Sequence, residues 1–84
     1  DEVSFADAQQ AFQEKNYAAA TQNFHLFLQQ HPDHPQAPKA KLGMGLSYLK
    51  LNNPKQARSA LEALVSDHPD DPLTERARQI LDEM

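Results

Sequence analysis

The segment HPDHP, His31–Pro35, returns as HPDDP at His68–Pro72, 37 positions further on. Each copy opens with histidine and proline. Proline cannot continue a helix and disfavours helical backbone in the residue before it, so each copy reads as a helix stop. Working outward, the same shift sets Ala20 on Ala57, Phe24 on Leu61, Phe27 on Leu64 and Leu28 on Val65. Further upstream it sets Phe12 on Leu49, Asn16 on Asn53 and Ala8 on Gly45. Small residues fall on small and large on large, which is the mark of an internal repeat.

Each unit reads as two helices. The first unit predicts Ser4 to Glu14, then Tyr17 to Gln30, whose apolar face holds Ala20, Phe24, Phe27 and Leu28. The second predicts Pro35 or Ala37 to Leu51, then Pro54 to Ser66. Asn53-Pro54 is a start signal, with Asn as cap and Pro at the first helical position. Asp71-Pro72 repeats that signal for a fifth helix, Leu73 to about Glu83, with Ala77, Ile80 and Leu81 as apolar contacts. No segment alternates with period two over a strand's length, so no sheet is expected. Antiparallel helix pairs repeating at this spacing stack into a solenoid. The expected fold is an all-α, right-handed antiparallel helix-pair solenoid in one domain spanning 1–84. Its units cover about 1–34 and 35–71, and a helix at about 73–83 caps it.

The third helix, with its KLGMGLSYLKL segment (Lys41–Leu51), is apolar on two sides. At about 100° per residue, Ala40, Met44, Tyr48 and Leu51 form one stripe, and Leu42, Leu46 and Leu49 the opposite one. A helix with two apolar sides sits between neighbours. The Met44–Tyr48 stripe is expected on the second helix of its own unit. The leucine stripe is expected to face the neighbouring first helices and the concave surface. Gly45 lets two helix backbones approach, which compensates the roughly 1 kcal/mol that glycine costs a helix. Gly43 has no comparable role in the sequence.

Composition narrows the function. The chain has 84 residues, 39% hydrophobic and 24% charged, with formal charge −4. That is a globular composition. Its scattered Lys and Arg do not suit a phosphate backbone, so nucleic acid is not an expected partner. Absence of cysteine removes disulfides, thiolate metal sites and a cysteine nucleophile. No apolar run approaches the roughly 20 residues of a membrane span, so no membrane insertion is expected. A start at Asp1 without Met reads as a processed or excised piece.

His31, Asp33, His34, Asp70 and Asp71 suit metal chemistry by residue type. Yet His31 and His68 recur just before a helix-ending proline, where a histidine can bond open carbonyls and suits the helix dipole. The structural role is the favoured reading, and neither metal nor cofactor is expected. The serines lack a nucleophile-elbow setting, and the carboxylates lie on exposed faces or turns. Gly43-x-Gly45 lies within a helix, not at a strand-to-helix turn, so no phosphate loop is present. An enzyme is not expected.

Gly45, Tyr48, Ala57, Leu61 and Pro69 in the second unit resemble the pattern of the tetratricopeptide repeat. Ala8, Asn16-Tyr17, Ala20, Phe24 and Pro32 do so in the first. The likeness runs from about Phe5 to Pro72. It departs where the family has an early Trp or aromatic, here Ser4 and Lys41, and a Gly-Asp turn, here Lys15-Asn16 and Asn52-Asn53. Phe24-x-x-Phe27-Leu28-x-x-His31-Pro32, followed by Asp33-x-Pro35-x-Ala37, is similar to bacterial cell-envelope members. These include the periplasmic Tol-Pal coordinator and β-barrel assembly lipoproteins. Ala20, Ala40, Leu42, Gly43 and Tyr48 add to that likeness.

The resemblance implies a non-catalytic protein–protein interaction module. Its concave groove would hold Phe5, Gln9, Phe12 and Gln13, then Lys39, Leu42, Leu46, Leu49 and Lys50, then Arg76 with Gln79 and Ile80. An apolar floor rimmed by amides and bases suits a peptide or partner segment with some acidic character. The same leucines are also explained by packing between first helices. The likeness further implies a periplasmic or envelope location, with the cytoplasm as alternative. Two units and a cap fall below the usual three repeats. A second reading is therefore a self-assembling element that forms a homo-oligomer through exposed repeat surfaces.

Overall fold

A computed structural model describes residues 4–84. It contains five helices: α1 (Phe5–Gln13), α2 (Tyr17–Gln30), α3 (Ala37–Lys50), α4 (Pro54–Asp67) and α5 (Pro72–Glu83). No strand occurs among the described residues. The molecule measures 35 × 27 × 18 Å.

Local chemistry sets the helix ends. Ser4 and Asp7 form a reciprocal capping box: the Ser4 hydroxyl accepts the Asp7 N–H at 3.2 Å and the Asp7 carboxylate accepts the Ser4 N–H at 3.4 Å. Asn16 caps α2 by accepting the Ala19 N–H at 3.3 Å, and Asp71 caps α5 by accepting the Leu73 N–H at 2.8 Å. Asn53 occupies the cap position of α4, but its side chain makes no capping bond, contrary to expectation. Pro54 at the first position supplies the pre-set φ instead. Helix α3 begins at Ala37 rather than Pro35, with Pro38 in its first turn.

The turn within each unit has the same form. Lys15 and Asn52 adopt positive φ, 64° and 59°. After α1, the Lys15 N–H reaches the Phe12 carbonyl at 3.0 Å and the Asn16 N–H reaches Ala11 at 2.9 Å. After α3, Asn52 reaches Leu49 at 3.1 Å and Asn53 reaches Tyr48 at 2.9 Å. This is the paired closure of a left-handed helix cap, usually given to glycine. Asn tolerates that conformation; Lys15 adopts it at a steric cost.

Two apolar clusters form. Ala8, Ala11, Ala20, Phe24, Phe27 and Ala40 make the first, with Phe5, Phe12, Leu28 and Met44 among the residues packed on it. Leu61, Leu64 and Ala77 make the second, with Leu42, Val65, Leu73, Ile80 and Leu81 against it. Helix α3 lies between the clusters, which accounts for its two apolar sides. The assignment of sides differs from expectation. Met44 packs on the cluster of the first unit, not only toward its own α4. Gly45 is the residue beneath α4: a Cβ there would come within 2.7 Å of Leu61 Cδ2. Gly43 does the same toward α2, where a Cβ would lie 2.7 Å from Phe24 Cζ. Two glycines on one helix thus admit a large side chain from each neighbour.

Candidate functional site

Each helix packs on the next, and α1 touches α3 as α3 touches α5, whereas α2 and α4 do not meet. Connections of three to six residues join consecutive helices, so neighbours run antiparallel. Helices α1, α3 and α5 therefore point the same way and form one touching layer. We call that layer the inner side; α2 and α4, which do not touch each other, form the outer side.

An open cleft of about 150 Å³ lies in the inner layer between α1 and α3. Phe5, Gln9 and Phe12 line it from α1; Lys39, Leu42, Gly43 and Leu46 line it from α3; Phe24 reaches it from behind. The capping box starts α1 at Phe5, whose ring lies 6.1 Å from that of Phe24 and 5.7 Å from that of Phe27. Phe12 stands edge-on to Tyr17 at 5.7 Å. Gly43 leaves the end of the Phe24 ring in contact with the cleft. Lys39 is exposed at the rim and has no ion-pair partner among the described residues, where the pairs are Lys41–Asp67 and Glu75–Arg78.

The structure thus brings together six of the expected groove residues: Phe5, Gln9, Phe12, Lys39, Leu42 and Leu46. Leu42 also packs on the second cluster, whereas Leu46 belongs to neither. Leu49 lines a separate cleft of about 350 Å³ with Pro54, Ile80, Glu83 and Met84. Gln13, Lys50, Arg76 and Gln79 are exposed and line neither cleft. Phe24 and Gly43 were not among the expected groove residues. On the helical wheel Gly43 stands close to Leu46, so the sequence held a signal for it. On the outer side, a furrow of about 270 Å³ between α2 and α4 is lined by His25, Met44, Tyr48, Gln56, Ser59, Ala60 and Ala63.

His31 and His68 sit at the ends of α2 and α4. Their backbones close the helices, with His31 N–H to Phe27 at 2.8 Å and His68 N–H to Leu64 at 3.0 Å. The His31 ring lies 5.4 Å from that of Phe27, and the His34 ring 5.1 Å from it. The His68 ring turns to Lys41, with Nε2 3.1 Å from Nζ. Lys41, which stands where the family has an aromatic, also bonds Asp67 Oδ2 at 2.9 Å. That hydrogen bond, then the lysine charge, holds the Asp67 carboxyl below its ordinary range, with slight burial opposing and His68 assisting. Thr74 donates its hydroxyl to the His68 carbonyl and ties α5 to this corner. Among the described residues, no group of three or more His, Cys, Asp or Glu is placed to hold a metal ion.

Ligand pockets for small molecules commonly enclose about 300–1,000 Å³. The α1–α3 cleft is smaller, open and apolar, with one ammonium and one amide. Its size is on the scale of a single large apolar side chain. No described helix is long and apolar enough to cross a membrane.

Helix pairs stacked in sequence order around two successive apolar clusters define a helical-repeat protein of the solenoid class. The tetratricopeptide repeat model matches residues 11–81, and the chain belongs to that family. Members generally mediate protein–protein interaction and are typically non-catalytic. Comparison with curated proteins and with solved structures found no match.

Proposed function

We propose that the chain is a non-catalytic module that binds a peptide, or a segment of a partner protein, in the α1–α3 cleft. Two units, about 1–34 and 35–71, frame the groove, and α5 caps it. The observation that carries this reading is the convergence of Phe5, Gln9, Phe12, Lys39, Leu42 and Leu46 on one open apolar cleft. Leu46 is the decisive residue, because it lines the cleft and packs in neither core cluster. Affinity comes from desolvating leucine and phenylalanine, while Lys39 adds rate and orientation. Short peptides selected from a random library on the immobilised chain provide the test. Leu46→Gln weakens the selected peptides well over tenfold while far-UV circular dichroism retains the helix signal. If Leu46→Gln unfolds the chain, the stripe is core and this reading fails.

A bacterial envelope assembly is the proposed setting. Its support is the likeness of Phe24-x-x-Phe27-Leu28-x-x-His31-Pro32 and the following Asp33-x-Pro35-x-Ala37 to envelope members. Fractionation of the parent protein to the periplasm agrees with it, and retention in the cytoplasm refutes it. Leu51 and Met84, 42% and 38% exposed, favour a second reading in which copies associate. A molar mass that doubles with concentration, through an interface covering the cleft, selects that reading.

A further inference from the structure

We infer that the inner layer selects the polarity of what it binds. The bound segment carries two apolar anchors. An acidic residue flanks the anchor in the α1–α3 cleft, and a basic residue flanks the anchor in the α3–α5 cleft. The inference rests on the α1–α3 binding reading.

The two clefts lie on either side of α3 and toward opposite ends of it. Leu42 and Leu46 open on the first, and Leu49 on the second. Leu42 and Leu49 are separated by about 10 Å of helix rise. Crossing from the α1 side to the α5 side adds a lateral step of up to about 8–10 Å, one interhelical spacing. A segment laid obliquely over α3 therefore spans about 13 Å between anchors, or about four residues of extended chain.

The rim charges differ in sign between the clefts. Lys39 lines the first and Glu83 lines the second. Both are exposed, and neither has an ion-pair partner among the described residues. Arg76 stands on α5 one 37-residue repeat after Lys39, near the same end of the layer. The parallel α1, α3 and α5 add their dipoles in the same sense, positive at that end and negative at the other. Lys50, in the last turn of α3, and the acidic residues Asp7 and Glu75, in the first turns of α1 and α5, have the opposite sense, but none of them lines either cleft. The charge that lines each cleft is Lys39 in the first and Glu83 in the second, and a bound segment with unlike flanking charges lies with its acidic flank at Lys39.

Library-selected peptides on the 84-residue chain test this against the charge-exchanged variant Lys39→Glu/Glu83→Lys. Both substitutions are at exposed positions, and circular dichroism verifies the helices. Peptides selected on the wild type should show acid–anchor–anchor–base order. They should bind the exchanged variant about fivefold more weakly, and peptides of reversed charge should bind it more tightly, as expected for rim ion pairs. Selected peptides that need Leu46 but show no charge order overturn the inference and leave the cleft reading standing. If no selected peptide needs Leu46, or a dimer covers both clefts, the reading and the inference both fail.

Discussion

Gly45→Ala opposes two effects of similar size. Alanine exceeds glycine in a helix interior by about 1 kcal/mol. Here the added methyl would meet Leu61 Cδ2 at 2.7 Å, Leu61 Cγ at 2.8 Å and the Ala57 carbonyl oxygen at 3.6 Å. Carbon atoms in good contact stay about 3.5–4.0 Å apart. Leu61 is fully buried, and Cγ is its branch point rather than a free end. Relief requires Leu61 to leave its rotamer or α3 and α4 to part, at about 1–3 kcal/mol. The net expectation is a loss of about 1 kcal/mol, a fall in Tm of about 4–8 °C for a domain of this size. Gly43→Ala meets Phe24 at Cζ, 2.7 Å, and Cε2, 2.8 Å. That is the far end of a ring bordering an open cleft, so the ring can yield toward it. Its loss should be the smaller. Thermal and urea unfolding of both variants, followed by circular dichroism, give the comparison. A gain in stability for Gly45→Ala, or a larger loss for Gly43→Ala, refutes the packing argument.

Ala57 is fully buried beneath α3, so Ala57→Leu should cost roughly 1–3 kcal/mol in urea unfolding by overpacking. Asn16→Ala should cost about 1 kcal/mol and Asn53→Ala clearly less, because only Asn16 makes a side-chain cap. Lys41 lowers the folded-state pKa of Asp67 below the ordinary 3.8. Its contribution is therefore full above about pH 4 and is lost as pH falls through the lower folded value. The Asp67 side chain is 59% exposed, so the effect is screened and below about 1 kcal/mol. The Tm difference between wild type and Asp67→Asn should shrink on acidification below pH 4; a difference that grows there refutes the assignment.

The repeat was legible because HPDHP and HPDDP stop α2 and α4 through proline, a local effect that needs no tertiary context. The starts of α4 at Pro54 and of α5 at Pro72 followed from proline in the same way. Lys15 was legible only as a departure from the family's glycine, yet it keeps the left-handed turn at φ 64°. There the paired closing hydrogen bonds override a residue preference. Two apolar stripes on α3 were legible, but not which neighbour each one meets. That depends on how α2 and α4 are rotated about their axes, so the partners of Met44 and Gly43 escaped. Lys41 and Asp67 stand 26 positions apart, and no periodicity announces a single charged contact at that distance. In the groove, the family resemblance grouped Phe5, Gln9, Phe12, Lys39, Leu42 and Leu46. It did not separate Leu49, because the same helix serves two clefts.

Gly45 has a counterpart one repeat on, at Asp82, which is exposed on α5. In α3 the missing side chain is the socket for Leu61. On α5 the same position holds a carboxylate. A helix seated there as α4 sits on α3 would press an apolar branch onto that polar side chain and strip its water, at a cost on the order of several kcal/mol. The socket that Gly45 offers Leu61 on α3 is therefore not repeated at this position of α5.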